Sequence, residues 1–220
     1  GAEEEVDFED FDALLSPEAR GHVAKVRKAL ARRRSSRGRV KAEVDTISAL
    51  FPYEPDAEQR EAFRLHAEGK DVVCCMPTGS GKTAVGTFAA WRSLALGRRV
   101  FYTTPLKALS GQKRREFSKL FGDDAVGLVT GDHCIFPDAP VVVMTTEILR
   151  NVLYYVSSDS LNSPLAGDGR TLRDLEAVVL DELHWISDRE RGTAWEETII
   201  HCPPSVRLVG LSATVGGDPS

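Results

Sequence analysis

The sequence of 220 residues lacks the features that mark several large classes of protein. No apolar run approaches the ~20 residues that a membrane-spanning helix needs, so we predict no contact with a membrane. There is no internal repeat, and no segment resembles a secretion signal. Because the chain begins at Gly1 without a methionine, we expect it to be an excised fragment, whose parent could carry a targeting peptide outside this sequence.

Cysteine is scarce, and the spacing of a metal or redox motif is missing. The four cysteines form no C-x-x-C pair. Two of them, Cys74 and Cys75, fall in an apolar run that predicts a buried strand. We therefore interpret the cysteines as small packing residues in a reducing, intracellular compartment rather than as a disulfide or metal site.

A strong net charge is missing too. There are 33 acidic and 28 basic residues, which leaves a formal charge of −5. A protein that simply coats nucleic acid would carry a basic field over its whole surface, so that class is disfavoured. A local binding groove remains compatible with this charge. The apolar content of 42% is ordinary for a globular protein, and the length suits one substantial α/β domain with a tail to spare.

The first 47 residues are predicted to form a helical or disordered extension. Residues 1–12 carry seven acidic side chains, which indicates a solvated acidic tail. Residues 20–41 carry ten Lys or Arg and no acid, ending in a segment that we interpret as a loop. This basic segment could touch RNA, form a solvated face, or pair with the acidic tail, and the sequence leaves the three alternatives open. We divide the chain into residues 1–47 and a domain over residues 48–220.

Two helices are predicted in or next to the extension. Ser16 is a suitable N-cap and Pro17 a suitable first residue for a helix that would run to about Arg34. A second helix is predicted over residues 42–50, across the boundary between the extension and the domain that follows.

The segment Met76–Thr83 has the composition of a phosphate-binding loop. It follows an apolar run and precedes a predicted helix over residues 84–96, and strand, glycine-rich turn and helix is the context that such a loop requires. Glycines let the backbone turn tightly and bring its N–H groups onto phosphate oxygens at the positive end of the helix. The residues that we expect to bind nucleotide here are Pro77, Thr78, Gly79, Ser80, Gly81, Lys82 and Thr83.

Two side chains of this loop carry specific chemistry. Lys82 supplies a positive charge for the β and γ phosphates, and the Thr83 hydroxyl can complete the coordination of Mg²⁺. The general pattern G-x-x-x-x-G-K-[ST] has glycine where this chain has Met76.

A second motif, which is acidic, lies at the end of another predicted strand. The apolar residues 175–180 are followed by Asp181-Glu182-Leu183-His184. Asp181 can hold Mg²⁺ through water, and Glu182 can orient or deprotonate an attacking water. Alone such a pair is often only a turn, but about 100 residues after a phosphate loop it indicates a nucleotide-hydrolysis site.

Further strands are predicted to end in Thr, Gly or Pro turns at the same edge of a parallel sheet, where ligands of open α/β sheets bind. Pro105 is predicted just inside a helix start whose free N–H groups could hold an anion, with Lys107 nearby for phosphate. Thr130-Gly131 and Thr146 follow the next two strands. A polar, turn-rich stretch over residues 157–170 is predicted to be a flexible loop. The last helix and strand are predicted at 192–201 and 207–211.

Upstream of the phosphate loop, Tyr53 and Gln59 could stack on adenine and hydrogen-bond its edge. The alternative is an ordinary surface aromatic beside an exposed glutamine, and the spacing alone does not decide between them.

With these motifs, the chain resembles the superfamily-two DExH-box helicases, and within them the superkiller and exosome-helicase branch of RNA helicases. The resemblance covers about residues 48–215, and it rests on five motifs in the right order. They are Met76–Thr83, Thr103–Lys113, Thr130–Asp132, Thr145–Tyr154 with Asp181–His184, and Ser212–Thr214. The segment Arg191–Glu197 is also similar to one found after the acidic box in that branch.

The resemblance implies a fold and a set of residue roles. The fold would be a RecA-like P-loop NTPase domain of class α/β, with a mostly parallel sheet and helices on both faces. ATP and Mg²⁺ would be the cofactors. Lys82, Asp181 and Glu182 would be catalytic, with Thr83 and Asp181 at the metal. His184, Ser212 and Thr214 would couple the nucleotide state to a groove that holds one strand of RNA by its backbone. The groove residues would be Pro105, Lys107, Thr130, Gly131 and Thr146.

The resemblance also implies partners and a location. A second RecA-like domain in cis would close over ATP and supply arginines, and the parent protein could act in an RNA-processing complex. A DNA translocase of the same superfamily and a non-enzymatic nucleotide-binding scaffold stay open as alternatives. The Ala/Arg/Gly-rich composition, with a likeness to plant and algal organellar members, raises a chloroplast location, otherwise cytoplasmic or nuclear.

Overall fold

The structure, a computed structural model, describes residues 8–31, 35–77, 79–157, 172, 174–188 and 192–213. The helices are α1 (Phe8–Leu14), α2 (Pro17–Ala31), α3 (Ser36–Ser48), α4 (Ala57–Ala67), α5 (Thr83–Ala95), α6 (Lys107–Phe121), α7 (Thr146–Ser157) and α8 (Gly192–His201). The strands are β1 (Val72–Met76), β2 (Arg99–Thr104), β3 (Val126–Val129), β4 (Cys134–Ile135), β5 (Val141–Thr145), β6 (Leu175–Leu180) and β7 (Arg207–Ala213). None of the described helices combines the length and the apolar character needed to cross a membrane.

The strands form one seven-stranded sheet in the order β1-β7-β6-β2-β5-β3-β4. Every neighbouring pair is parallel except β3 and β4. The prediction of a mostly parallel α/β sheet is therefore confirmed. Because the parallel strands all point the same way, the segments that follow β1, β2, β5 and β6 lie at one edge of the sheet.

Helices cover both faces of the sheet, as predicted. The faces can be told apart in β2, where Val100 and Tyr102 join one buried cluster and Phe101 joins the other. The first cluster lies under α2 to α6, and the second lies under α7. Alternate strand residues are buried on opposite sides because successive side chains of a strand point to opposite faces. Central strands β2, β5 and β6 are buried along their whole length for this reason.

The N-terminal helices share the core of the sheet domain. Leu15, Val23 and Ile47 belong to the same buried cluster as the α5 face of the sheet. The predicted start of α2 is confirmed, since the Ser16 hydroxyl accepts a hydrogen bond from Ala19 N. The helix is described as far as Ala31, and residues 32–34 of the predicted helix end lie outside the described residues.

The prediction of a solvated acidic tail is wrong for its last residues. Residues 8–12 belong to helix α1, and the half-buried Asp12 carboxylate accepts two hydrogen bonds, of 2.6 and 2.8 Å, from the Arg27 guanidinium of α2. Of the three alternatives for the basic segment, pairing with the acidic tail thus holds for Arg27. Residues 1–7 lie outside the described residues.

Helix α3 corrects the prediction of a loop followed by a helix over residues 42–50. It begins at Ser36, where the Ser35 hydroxyl accepts a hydrogen bond from Gly38 N, and it ends at Ser48. Arg37 and Arg39, two of the arginines that suggested a loop, lie on its exposed side, while Val44 and Ile47 are buried. Packing of this apolar side therefore outweighs the weak helical preference of the segment.

Strand β1 corrects the prediction that Cys75 is buried. Cys74 is buried but Cys75 is exposed, and Val73 on the same face is 65% exposed. In the described part of the chain β1 pairs with β7 alone, so it is an edge strand. The strand order decides this exposure, because on this face α7 packs against β2 and β5, closer to the centre of the sheet.

One buried histidine should make the fold sensitive to acid. His66 of α4 is fully buried, neither ring nitrogen has a hydrogen-bond partner, and burial lowers its pKa to about 3, with smaller contributions from Arg92 and Arg207. The unfolded chain binds a proton at His66 below pH ~6.5, whereas the folded chain does so only near pH 3. The free energy of unfolding should therefore fall as the pH drops, by about 1.4 kcal/mol from pH 7.5 to 5.5.

Urea unfolding of His66→Leu at both pH values checks this expectation. The variant should lose that part of the pH dependence, whereas His133→Gln, which changes an exposed histidine, should keep it. Equal pH dependence in wild type and His66→Leu would show that His66 does not remain neutral in the fold.

Candidate nucleotide-binding site

The phosphate loop follows β1 at the carboxyl edge of the sheet and leads into α5. Gly79 and Gly81 have φ angles of +84° and +78°, in the left-handed region that favours glycine. Ser80 N donates to Pro77 O at 3.1 Å, which closes the turn. Strand, turn and helix are thus confirmed as the setting of this loop. In the first turn of α5, Ala84 N and Val85 N donate to Gly81 O and Lys82 O, so the N–H groups left to meet an anion are those that precede them. Thr78 lies outside the described residues.

The Gln59 side chain is hydrogen-bonded to the backbone of the phosphate loop. Its Nε2 donates to Ser80 O at 3.1 Å and to Gly81 O at 3.2 Å. Its Oε1 accepts from Asp56 N, and the Asp56 carboxylate accepts from Gln59 N, which forms a capping box at the start of α4. The interpretation of Gln59 as an exposed residue is therefore wrong, since it is 3% exposed. A role toward adenine stays a prediction.

Tyr53 lies next to the same loop. It is 47% exposed, and its hydroxyl is 3.8 Å from where a Cβ on Gly81 would lie. Its ring also contacts Phe51. Tyr53 and Gln59 thus flank the loop together, with the tyrosine ring accessible and the glutamine amide already engaged.

The acidic motif meets the phosphate loop across 100 positions of sequence. Lys82 Nζ lies 3.1 Å from Glu182 Oε2, and this is both a hydrogen bond and an ion pair. The lysine side chain is 10% exposed and the glutamate side chain 31%. His184 Nδ1 approaches the same oxygen at 3.3 Å, without the alignment of a hydrogen bond. The structure therefore brings together Lys82, Glu182 and His184, three of the residues that the sequence analysis selected.

Glu182 adopts an unusual backbone conformation. Its φ of +55° and ψ of +44° are left-handed, and only one other non-glycine residue in the described ranges, Phe136, has a positive φ. Such a conformation costs roughly 1–2 kcal/mol for a residue with a side chain. It turns the chain sharply after β6, which places the Glu182 carboxylate beside Lys82.

Asp181 is the most enclosed carboxylate of the site, 9% exposed. Its Oδ1 accepts from Glu182 N at 2.9 Å, and its Oδ2 accepts from the Tyr102 hydroxyl at 2.8 Å. Burial raises the pKa of Asp181, and the hydrogen bond from Tyr102 acts in the opposite direction. The sequence motifs do not point to Tyr102, although a tyrosine inside a buried strand always raises the question of where its hydroxyl bonds.

The donor set fits Mg²⁺. Thr83 begins α5 and Asp181 directly follows β6, so a hydroxyl and a carboxylate are available as oxygen donors at this edge. The described residues contain no group of three His, Cys, Asp or Glu side chains that could hold a metal by themselves. Mg²⁺ keeps several waters and takes further ligands from phosphates, so two protein oxygens suit it.

The predicted nucleic-acid residues lie on the same edge, beyond β2. Lys107 Nζ forms an exposed ion pair with Asp132 Oδ2 at 2.5 Å, and it lies 3.3 Å from where a Cβ on Gly131 would be. Lys107 and Gly131 are thus neighbours. The predicted helix start is wrong by two residues: α6 begins at Lys107, because Leu106 is extended with φ −134° and ψ 141°, and Pro105 is buried before it.

Three predicted hydroxyl residues turn their side chains inward. Thr130 Oγ1 accepts from His133 N, the fully buried Thr146 donates to Thr104 O, and Ser212 donates to Ala213 O. Contacts with a nucleic-acid strand at these positions would therefore come from the backbone. Thr214 lies outside the described residues.

Comparison with known proteins gives a family match. A model of the DEAD/DEAH box helicase family matches residues 56–219. This range begins at the capping residue of α4 and includes the phosphate loop, the acidic motif and the last strand.

Three curated relatives show where similar sequences occur. The chain is 50% identical over 173 residues to the DExH-box ATP-dependent RNA helicase DExH15 chloroplastic of Arabidopsis thaliana, covering 79% of the chain and 14% of that protein. It is 47% identical to the probable helicase HelY of Mycobacterium tuberculosis, covering 79% of the chain and 18% of that protein. It is 44% identical to human (Homo sapiens) superkiller complex protein 2, covering 75% and 12%. The chain thus spans less than a fifth of the length of these relatives.

Two solved structures share the fold. A DUF1998 helicase, MrfA, bound to DNA and AMPPNP, matches with a TM-score of 0.57 at 19% identity, over 73% of the chain and 24% of that protein. A DEAD box protein from the hyperthermophile Methanococcus jannaschii matches with a TM-score of 0.52 at 22% identity, over 73% and 44%. At sequence identities this low, the similarity supports the fold alone, which is RecA-like as predicted.

Proposed function

The chain belongs to the DEAD/DEAH box helicase family, and on that premise we propose that it is the ATP-binding motor domain of an RNA helicase. The contact between Lys82 and Glu182 carries the proposal. It joins a phosphate loop after β1 to an acidic motif after β6, at the edge of the sheet where ligands of such folds bind.

The loop residues have separate tasks in this proposal. Backbone N–H groups of Gly79, Gly81, Lys82 and Thr83 bind the phosphates together with the Lys82 side chain, while Ser80 N closes the turn. Tyr53 with Gln59 borders the base. Thr83 and Asp181 would hold Mg²⁺, which would supply positive charge to neutralise the charge that develops on the phosphates.

Glu182 is the proposed base that orients the attacking water. In this structure its carboxylate is held by Lys82. Lys82 has to leave Glu182 to reach the phosphates, and its departure frees the glutamate for water. Nucleotide binding and readiness for hydrolysis are coupled through this one exchange of partners.

Hydrolysis requires more than this chain in our proposal. We infer that the complete protein carries a second RecA-like domain in cis, because the relatives are several times longer than the chain. Such a domain would supply arginines, and arginine fingers contribute about 10³–10⁵ in rate. We keep residues 48–220 as the motor domain and residues 1–47 as an extension, of which the helices α2 and α3 pack against that domain.

RNA is the proposed partner, held without regard to sequence. Lys107, Gly131 and the backbone of Thr130 and Thr146 would contact the phosphates and sugars of one strand. Two of the relatives carry RNA helicase or superkiller complex in their names, which favours RNA and a role in an RNA-processing complex. An intracellular location follows from this role, and the chloroplast name of one relative keeps that compartment as one alternative.

Nucleotide binding by the chain and ATP hydrolysis by the complete protein test the proposal. A fluorescent ATP analogue should bind the chain in the presence of Mg²⁺, Lys82→Ala should abolish binding, and Lys70→Ala, at an exposed lysine, should not change it. In the complete protein, single-stranded RNA should stimulate hydrolysis more than single-stranded DNA. Stronger stimulation by DNA would assign a DNA translocase instead, and rapid RNA-stimulated hydrolysis by the chain alone would contradict the need for a second domain.

A further inference from the structure

We propose that Tyr102 is a positioning residue for the Asp181 carboxylate, and that its hydroxyl thereby sets how firmly this domain holds the metal ion that accompanies ATP. The inference rests on the proposed nucleotide function. Tyr102 itself touches neither nucleotide nor metal, and it acts through Asp181.

The Asp181 carboxylate is fixed at both oxygens. Oδ2 accepts from the Tyr102 hydroxyl at 2.8 Å, and Oδ1 accepts from Glu182 N at 2.9 Å. Each carboxylate oxygen can accept two hydrogen bonds, so each keeps one site for a metal-bound water. One donor is a side chain and the other is the backbone of the left-handed Glu182, and together they prevent rotation of the carboxylate about its own axis.

The tyrosine ring is locked in place from several sides. On the α5 side Gly86 has no side chain, and a Cβ there would lie 2.8 Å from Tyr102 Cε2. On the α6 side the Phe117 ring meets Tyr102 edge-on, with centroids 5.1 Å apart, and Lys113 Nζ lies 5.5 Å from the ring centroid. Because the ring cannot move, the position of its hydroxyl is fixed with it.

The next residue of β2 shows what a merely structural hydroxyl does. Thr103 is also fully buried, and its hydroxyl donates to the backbone carbonyl of Val179 at 3.1 Å. Phenylalanine at position 102 would fill the same space without any hydroxyl to satisfy. Burying a hydroxyl without a hydrogen-bond partner costs free energy. The Tyr102 hydroxyl therefore serves to hold the Asp181 carboxylate, its hydrogen-bond acceptor.

The ring also lies between two parts of the proposed machinery. Lys113 and Phe117 belong to α6, whose first residue is Lys107 of the nucleic-acid face. A shift of α6 would reach the Tyr102 ring directly, and through its hydroxyl the Asp181 carboxylate.

Tyr102→Phe tests the inference, with Thr103→Val as the matched loss of a buried hydroxyl from the same strand. The affinity of the chain for fluorescent ADP is measured in EDTA and over a Mg²⁺ titration. Tyr102→Phe should leave the affinity in EDTA unchanged. It should raise by about 10-fold the Mg²⁺ concentration at which half of the Mg²⁺-dependent change in ADP affinity is reached, which is the lower end of what hydrogen-bond partners of metal ligands contribute. Thr103→Val should change neither quantity.

Gly86→Ala provides a second variant that keeps the hydroxyl. Alanine normally stabilises a helix relative to glycine, but here its Cβ would push the Tyr102 ring. We expect the Mg²⁺ requirement to rise in the same direction as in Tyr102→Phe. A normal Mg²⁺ requirement in Tyr102→Phe, or an equal change in Thr103→Val, would overturn the inference.

A thermal-unfolding cycle without nucleotide separates this inference from the proposed function. Tyr102→Phe should lower the Tm of the wild-type chain and should leave the Tm of Asp181→Ala unchanged or higher, because the hydroxyl then has no carboxylate to serve. If the wild-type chain shows no Mg²⁺-dependent nucleotide binding, the proposed function fails and the metal role of Tyr102 fails with it. If wild type binds normally and additive Tm changes are found, the positioning role alone is wrong.

Discussion

Glu182→Gln is expected to lower ATP turnover by about 10²–10⁴-fold, the usual contribution of a general base. The same change should tighten nucleotide binding by about 2–5-fold, the effect of removing a partly exposed ion pair. The reason lies in the contact of Glu182 Oε2 with Lys82 Nζ. A neutral glutamine no longer competes with the phosphates for the lysine, but it cannot accept a proton from water.

Turnover is measured in the complete protein, and affinity in the chain with a fluorescent ATP analogue. Glu197→Gln serves as a control, because that carboxylate is exposed on α8 and pairs with Arg150 at 3.6 Å. Unchanged turnover in Glu182→Gln would remove the hydrolytic assignment and leave a nucleotide-binding scaffold. Weaker binding in place of tighter binding would mean that Lys82 needs Glu182 to stay in position.

Arg92→Met is expected to lower the free energy of unfolding by about 3–5 kcal/mol, the effect of leaving a buried charge without its partner. Arg92 Nε lies 2.7 Å from Glu43 Oε1, and its Nη1 donates to Glu176 Oε1. All three side chains are at most 12% exposed. Burial raises the pKa of Glu43, and Arg92 lowers it. Without the arginine, the buried Glu43 carboxylate either takes up a proton or stays as an unpaired charge, and both outcomes cost free energy.

Urea unfolding at pH 7 gives the measurement, with Arg98→Ala as the control. Arg98 contacts the same Glu176 at 3.4 Å but is 43% exposed, so its loss should cost no more than about 1 kcal/mol. Combining Arg92→Met with Glu43→Gln should recover a large part of the loss, because the unpaired charge is then removed. Equal effects of Arg92→Met and Arg98→Ala would show that the buried network does not hold α3 to the sheet.

The parts of the fold that the sequence predicted well are those whose chemistry demands a local geometry. A loop such as Met76–Thr83 must follow a strand and begin a helix, and β1 and α5 do flank it. Glu182 after β6 follows the same logic, so its contact with Lys82 could be anticipated. The left-handed backbone conformation at Glu182 could not be predicted, because glutamate has no preference for a positive φ angle.

What the sequence could not predict depends on packing between distant segments. Cys75 is exposed because the strand order places β1 at the sheet edge. Helix α3 extends over an arginine-rich stretch because Ile47 and its neighbours find a core contributed by later residues. Tyr102 belongs to no recognised motif, and only the three-dimensional meeting of β2 with β6 brings its hydroxyl to Asp181.

The pairing of β1 has a consequence for the order in which the chain folds. Among the described strands its one neighbour is β7, the last in sequence, with Val72 opposite Val209. During synthesis the strand that precedes the phosphate loop therefore has no place in a sheet until more than 130 further residues have been made. Strands β2, β5 and β6 can pair before that point. The nucleotide site is thus among the last parts of the domain to form. An incomplete chain that ends before β7 would contain the residues of the phosphate loop, but they would not be folded into a binding site.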